Sequence, residues 1–309
     1  MRKVALDMVA ELAKRDERVV FLGSDLGAGT LDGMRRDHPD RFFMEGIGEA
    51  NLVGMAAGLA MDGFIPYLHT IAPFFTRRAF EQIAVDLCLH NLPVRLIASG
   101  GGVVYAPLGP THLAIEDMAA MRALPNMTVA AVCDAEEMRH LMEASLNWPG
   151  PLYIRLGKGG DPIVSDPARG FAIGRAVTVR EPAEVQLMTT GVMLSRVIEA
   201  ADRLAAEGIR CGILHVHTVK PLDTAAVVEA ARAARVVVTV EEHIRDGGLG
   251  SAVLESLADE SPGPLPRVVR LGLPDAFPAE YGSQDSMLDT FGLQPAGITD
   301  AVRRARRRN

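Results

Sequence analysis

Phe42-Phe43-Met44-Glu45-Gly46-Ile47-Gly48-Glu49-Ala50-Asn51 opens as an apolar, strand-like run and passes through Gly46 and Gly48 into a helix that begins at Glu49. Gly54, Ala57 and Gly58 then give this helix a face of small residues that invites close packing. An acidic residue in the first helical turn is favoured by the helix dipole by about 0.3–1 kcal/mol. Taken alone, Glu49 is therefore as well explained by helix electrostatics as by chemistry.

The same alternation of apolar runs and amphipathic stretches extends in both directions. Val19 to Gly23, Ile65 to His69, Val94 to Ala98, Met127 to Val132 and Leu152 to Arg155 are expected strands. Alternation of this kind implies right-handed crossovers and a parallel sheet, with functional loops beyond the carboxyl ends of the strands. Those ends include Leu68-His69 and Ser99-Gly100-Gly101-Gly102. The pattern breaks at Gly159-Gly160-Asp161-Pro162 and stays polar through Ser165-Asp166-Pro167-Ala168-Arg169-Gly170, which reads as a linker. A second alternation follows, with strands at Val185 to Thr189, Cys211 to Val216, Val236 to Glu241 and Val268 to Leu271. The expected fold class is α/β, with two domains, 1–165 and 166–309, each a mainly parallel sheet flanked by helices.

Bulk properties agree with this class. The 309 residues suit two domains, and 48% hydrophobic residues with only 5% aromatic ones suit helices packed on aliphatic strands. A formal charge of -7 argues against general attraction to nucleic acid or an anionic membrane. No run approaches the roughly 18 apolar residues of a membrane span, and Met1-Arg2-Lys3 leads into an amphipathic helix, so a cytoplasmic protein is expected. Cys88, Cys133 and Cys211 are far apart, each in an apolar stretch, and read as buried free thiols. His215-Val216-His217 puts two imidazoles on one face of a strand, but no third metal ligand is evident. Gly27-Ala28-Gly29-Thr30-Leu31-Asp32-Gly33 only superficially resembles a dinucleotide fingerprint, because its third glycine comes one residue late. The cations from Arg303 to Arg308 fit the end of a final helix.

Several short stretches, in order, resemble the transketolase family, which includes 1-deoxyxylulose-5-phosphate synthase and the separate-subunit bacterial transketolases. They are Phe42 to Ala60, Phe75 to Gln82, Gly109-Pro110-Thr111-His112, Leu124-Pro125-Asn126-Met127 and Gly150 to Lys158. In the second half they are Val219-Lys220-Pro221-Leu222-Asp223, Glu241-Glu242-His243 and Gly272-Leu273-Pro274-Asp275. The resemblance implies a pyrimidine-binding domain followed by a transketolase C-terminal domain, and thiamine diphosphate as cofactor.

By this resemblance Glu49 is the glutamate that hydrogen-bonds the ring nitrogen of the cofactor's aminopyrimidine, where a carboxyl can share a proton and an amide cannot. Ile47 lies beside it in the same motif. Phe75 matches the aromatic that stacks on that ring, a contact that contributes roughly 0.5–1.5 kcal/mol beyond burial; Phe74 is its rival. Arg78 matches a position facing the active-site channel. His112 matches the histidine that contacts substrate oxygens and assists proton transfer, for which imidazole, titrating near pH ~6.5, is suited. His69 points toward the same loops. Lys158 stands where the family commonly holds a substrate phosphate with arginine, so the charge persists without the bidentate geometry. Leu108 replaces an acidic residue that recognises a sugar hydroxyl, and Gly100 replaces a histidine near the donor phosphate. These two changes favour a smaller or less polar donor. His243 is expected near a subunit interface.

The family anchors the diphosphate through magnesium (or calcium) held by a Gly-Asp-Gly turn, which this chain lacks: Asp32-Gly33, Asp62-Gly63 and Asp246-Gly247 have no preceding glycine. The resemblance therefore implies a separate N-terminal transketolase subunit, an α2β2 assembly, and self-association through the helix after Glu49. Transfer of a two-carbon ketol unit from a ketose to an aldehyde is the expected reaction. A β subunit of a 2-oxo-acid dehydrogenase or carboligase, and a noncatalytic stabilising partner, are the alternatives.

Overall fold

The computed structural model describes residues 1–24, 29–260 and 263–307. Gly27 and Ala28 of the glycine-rich stretch, and Arg308, lie outside the described residues.

The first half contributes β1 (Val19–Gly23), β2 (Phe42–Met44), β3 (Ile65–Ile71), β4 (Arg95–Ser99), β5 (Thr128–Ala131) and β6 (Leu152–Leu156). The second contributes β7 (Val177–Arg180), β8 (Val185–Thr189), β9 (Cys211–His215), β10 (Thr218–Lys220), β11 (Val236–Ile244) and β12 (Arg267–Leu273). The first sheet runs β10-β5-β6-β4-β3-β1-β2 and is parallel except for β10. The second runs β12-β11-β8-β9-β7 and is parallel except for β7. The expected two mainly parallel α/β layers are present.

Side-chain alternation explains why the first sheet needs helices on both faces. Val20, Leu22, Leu68 and Leu96 enter one apolar cluster, whereas Val19, Phe21, Tyr67 and Ile97 enter another. Helices α1 (Arg2–Arg15), α2 (Asp32–Asp37), α3 (Glu49–Met61), α4 (Phe80–Gln82), α5 (Asp117–Ala123) and α6 (Ala135–Ser145) accompany this sheet. The second sheet is flanked by α7 (Met193–Ala206), α8 (Thr224–Arg232), α9 (Leu249–Glu260), α10 (Gln284–Thr290) and α11 (Pro295–Arg307). Leu187 and Val238 face one cluster there, Met188 and Val237 the other. The last turn of α11 carries Arg304, Arg306 and Arg307, which complements its dipole.

Three features depart from the sequence reading. Residues 218–220 lie in the second half yet pair antiparallel with β5 at the edge of the first sheet. Lys220 Nζ reinforces the join by donating to the carbonyls of Arg122 (2.9 Å) and Leu124 (2.5 Å). The expected linker is tied down as well: the Asp134 carboxylate, which caps α6, also accepts from Val164 N (2.8 Å) and from Ser165 N (2.6 Å). His243 is fully buried and accepts from Ala119 N through Nε2 at 3.2 Å, so it braces the interior and reaches no surface. No described helix is long and apolar enough to cross a membrane.

Candidate functional site

The parallel strands of the first sheet end on one side, and α3 starts there. This puts Glu49, its first residue, at the carboxyl edge of β1 and β3. Its side chain is 1% exposed, and each carboxylate oxygen has one donor among the described residues. Thr70 Oγ1 donates to Oε1 at 3.1 Å, and Ser24 Oγ donates to Thr70 Oγ1 at 2.9 Å, forming a short hydroxyl relay. Arg78 Nη1 donates to Oε2 at 2.8 Å, and the Arg78 side chain remains 46% exposed. One oxygen is thus fixed from inside the protein while the other faces a cation that solvent reaches. A ligand group that displaces Arg78 meets a carboxylate already held in place.

After β3 the chain makes a wide π-helical turn, Phe74–Arg78. Such turns shift the helical phase and recur at functional sites. Here the Arg78 guanidinium lies 4.2 Å from the centre of the Phe74 ring. Phe74 in turn meets the His112 imidazole edge-on at 5.4 Å. Glu49, Arg78, Phe74 and His112 therefore form one contiguous group. Phe75, the expected stacking ring, is only 1% exposed and packs into the core cluster with Leu52, Leu68 and Ile83. Phe74 beside it is half-buried, its ring between the Arg78 guanidinium and the His112 imidazole.

Arg77 positions the loop that carries His112. It donates to both oxygens of Glu116, to Pro110 O at 3.2 Å and to Leu113 O at 2.8 Å. The loop base is closed by reciprocal bonds between Gly102 and Ala114, at 2.9 and 3.0 Å. Ile47 is 77% exposed, two residues before Glu49, and Leu108 is 51% exposed on the same loop as His112. Gly100 has φ +81°, and a Cβ there would lie 2.1 Å from the Tyr105 ring. Tyr105 thus occupies the space a side chain at 100 would need.

Two expected contacts are not brought to this group. His69 is 5% exposed, its Nε2 lies 2.9 Å from Ser99 Oγ, and burial pushes its pKa down to about 4, so it is a neutral support inside the sheet. Lys158 is exposed beyond β6, with no side-chain partner among the described residues. Thr70 and Arg77 were missed by the sequence reading. Thr70 carries no signal, being a strand threonine like others, whereas Arg77 was legible as the neighbour of Arg78.

The second domain holds the loop from behind. Glu242 accepts from Val103 N at 2.8 Å and from Gln284 Nε2 at 2.9 Å, and a Cβ on Gly102, at φ +71°, would collide with it. Burial pushes the Glu242 carboxyl up to about 7. A folded-state pKa above the unfolded one means that the folded chain binds the extra proton, so this contribution is lost as pH rises from about 4.5 through about 7. Glu242→Gln should therefore hold its Tm better than the wild type across that window. Parallel Tm curves from about pH 5 to about 8 would contradict the assignment.

A pyrimidine-like ligand fits the buried, pre-bonded carboxylate beside an accessible ring. Ligands for a hard dication are not gathered there: among the described residues the one grouping of three or more metal-binding side chains is Cys133, Glu137 and His215, elsewhere in the fold.

Comparisons with known proteins agree with the geometry. Residues 1–160 match the transketolase pyrimidine binding domain, and residues 174–298 match the transketolase C-terminal domain. The chain is 39% identical to 1-deoxy-D-xylulose-5-phosphate synthase 1 of Geobacter sulfurreducens over 96% of its own length, but it spans only 46% of that relative. It is 36% identical to the 6-deoxy-6-sulfo-D-fructose transketolase subunit of Clostridium sp. (strain MSTE9), covering 98% of this chain and 93% of that one. A solved split gene transketolase, an inactive beta4 tetramer, superposes with a TM-score of 0.88 at 38% identity, covering 98% and 97% of the two chains. With both domains matched in sequence order, the chain belongs to the transketolase family and carries its pyrimidine-binding and C-terminal domains.

Proposed function

We propose that this chain is one subunit of a split, thiamine-diphosphate-dependent transketolase-type enzyme that moves a two-carbon ketol unit from a ketose to an aldehyde. The observation that carries the reading is Glu49, 1% exposed at a helix start and bonded on each oxygen, next to Arg78, Phe74 and His112. The cofactor, when bound, supplies a carbanion-stabilising thiazolium. Glu49 holds or passes a proton at the aminopyrimidine nitrogen, with Thr70 fixing its other oxygen. Phe75, with Phe74 as its rival, stacks on the aminopyrimidine ring, and Ile47 shields the pocket at its rim. Arg78 moves from Glu49 toward the substrate channel. His112 contacts substrate oxygens on a loop that Arg77 keeps in place, His69 supports the floor through Ser99, and Lys158 attracts an anionic substrate group from the rim.

The diphosphate and its magnesium (or calcium) belong to a separate N-terminal subunit, which we place in an α2β2 assembly in the cytoplasm. The near-complete overlap with a transketolase subunit and with a split gene transketolase supports this arrangement. Self-association runs through α3, where Gly54 and Gly58 face open space in the chain. The domain boundary falls at residue 165, within the anchored linker. An apolar Leu108 at the loop surface, and Tyr105 filling the space above Gly100, favour a donor smaller or less polar than a pentose phosphate.

The test is an assay of the purified chain with thiamine diphosphate and magnesium, alone and with a diphosphate-binding subunit. Ketol transfer should require both polypeptides. Robust transfer by the single chain contradicts the split site, and turnover of 2-oxo acids in place of ketoses by the pair contradicts the transketolase reading.

A further inference from the structure

His215 and His217 were read from the sequence as an imidazole pair lacking a third ligand. The fold supplies what the sequence conceals. Cys133 follows β5, Glu137 lies in the first turn of α6, and His215 ends β9; all three are buried, and one ligand atom from each lies within 4.8 Å of the others. Glu137 Oε2 accepts from Cys133 N at 2.7 Å and lies 2.9 Å from His215 Nε2. Hydrogen bonding is incomplete around them: His215 Nδ1 and His217 Nε2 are buried without a partner among the described residues, and the two rings lie 5.9 Å apart. A cavity of about 30 Å³, lined by Glu137, His215, His140, Ser165 and Arg169, adjoins the cluster beneath the linker. That volume admits about one water.

We infer that Cys133, Glu137 and His215 form a zinc site that fastens the second domain to the first. One sulfur, one nitrogen and one carboxylate oxygen, with a cavity water as fourth ligand, are a zinc donor set. Magnesium and calcium prefer oxygen alone and are disfavoured by the thiol. Charge supports a dication, since thiolate, carboxylate and neutral imidazole together balance Zn²⁺ in a place that water barely reaches. On binding, the thiol proton leaves to solvent, the His215 proton shifts from Nε2 to Nδ1, the Sγ–Zn bond forms, and the Glu137–His215 hydrogen bond is replaced by coordination through Glu137 Oε2 and His215 Nε2.

This inference is independent of the transfer reaction and is tested on the untagged chain without thiamine diphosphate or a partner. After chelator treatment and dialysis, the chain should take up about one equivalent of zinc with a rise in Tm. Cobalt in its place should give the thiolate-to-metal charge-transfer band and the visible bands of a tetrahedral site. Cys133→Ser, close to isosteric, should abolish the charge-transfer band, and His215→Asn should lower uptake about tenfold or more. Cys88→Ser should change neither readout. No stoichiometric uptake, a Tm that zinc leaves unmoved, or charge-transfer bands that persist in Cys133→Ser would each overturn the site and leave Glu137–His215 as a simple buried pair.

Discussion

Glu49→Gln in the reconstituted two-subunit enzyme is expected to lower kcat by about 10²–10⁴-fold, the range that positioned proton transfer contributes, with thiamine diphosphate still bound. Glutamine retains the size of the side chain and a carbonyl to accept from Thr70, but it cannot take up or release a proton at the cofactor ring. It also removes the charge that Arg78 Nη1 now reaches at 2.8 Å. That ion pair is half exposed on the arginine side, so its loss is worth little to folding and Tm should move by no more than a few degrees. The measurement is a kcat series for wild type and Glu49→Gln with the partner, beside a thermal shift on adding cofactor. Unchanged turnover would favour a scaffold subunit over a catalytic one. Lost turnover together with a lost cofactor shift would assign Glu49 to binding rather than proton transfer.

The layers of the fold were legible because strands buried on both faces read as unbroken Val- and Ile-rich runs, as at Val236 to Val240, which is buried throughout. That Glu49 opens a helix was legible from Gly46 and Gly48, whereas its expected role came only from the family resemblance. The difference in burial between Phe74 and Phe75 was not legible, because it depends on helical phase. The chain leaves β3 through a π-helical turn, which carries no periodic signature of its own and rotates Phe75 into the core. Strand β10 was hidden for a different reason: three residues, Thr218 to Lys220, are too short to show a period of two, and their partner belongs to the other domain. Cys133, Glu137 and His215 escaped notice because a loop, a helix and a strand from two domains bring them together. Sequence spacing is blind to that kind of convergence.

Arg155→Met should be among the most destabilising single changes in the chain, by about 3–5 kcal/mol, because it strands a buried charge. Asp117 is 0% exposed, and its Oδ2 accepts from Arg155 Nε at 2.7 Å and from the Tyr153 hydroxyl at 2.8 Å. Its Oδ1 already lacks a partner among the described residues, so the methionine variant leaves only the tyrosine to compensate the carboxylate. Methionine retains much of the arginine's length and apolar volume, which keeps a cavity from confusing the result. Arg155 Nη2 also donates to Ala114 O at 3.2 Å and to Glu242 O at 2.8 Å, joining the base of the His112 loop to the second domain. Urea unfolding should therefore show a lower midpoint, and KM for the substrate should rise in the reconstituted enzyme as the loop loses its anchor. Combining Arg155→Met with Asp117→Leu separates charge from anchoring. If the stranded carboxylate is the cause, the double variant recovers part of the lost stability, because the charge has gone. Strictly additive losses would mean that the backbone bonds to Ala114 and Glu242, rather than the ion pair, hold this part of the fold together. In either case KM remains raised in the double variant, since removing Asp117 restores no donor to the loop.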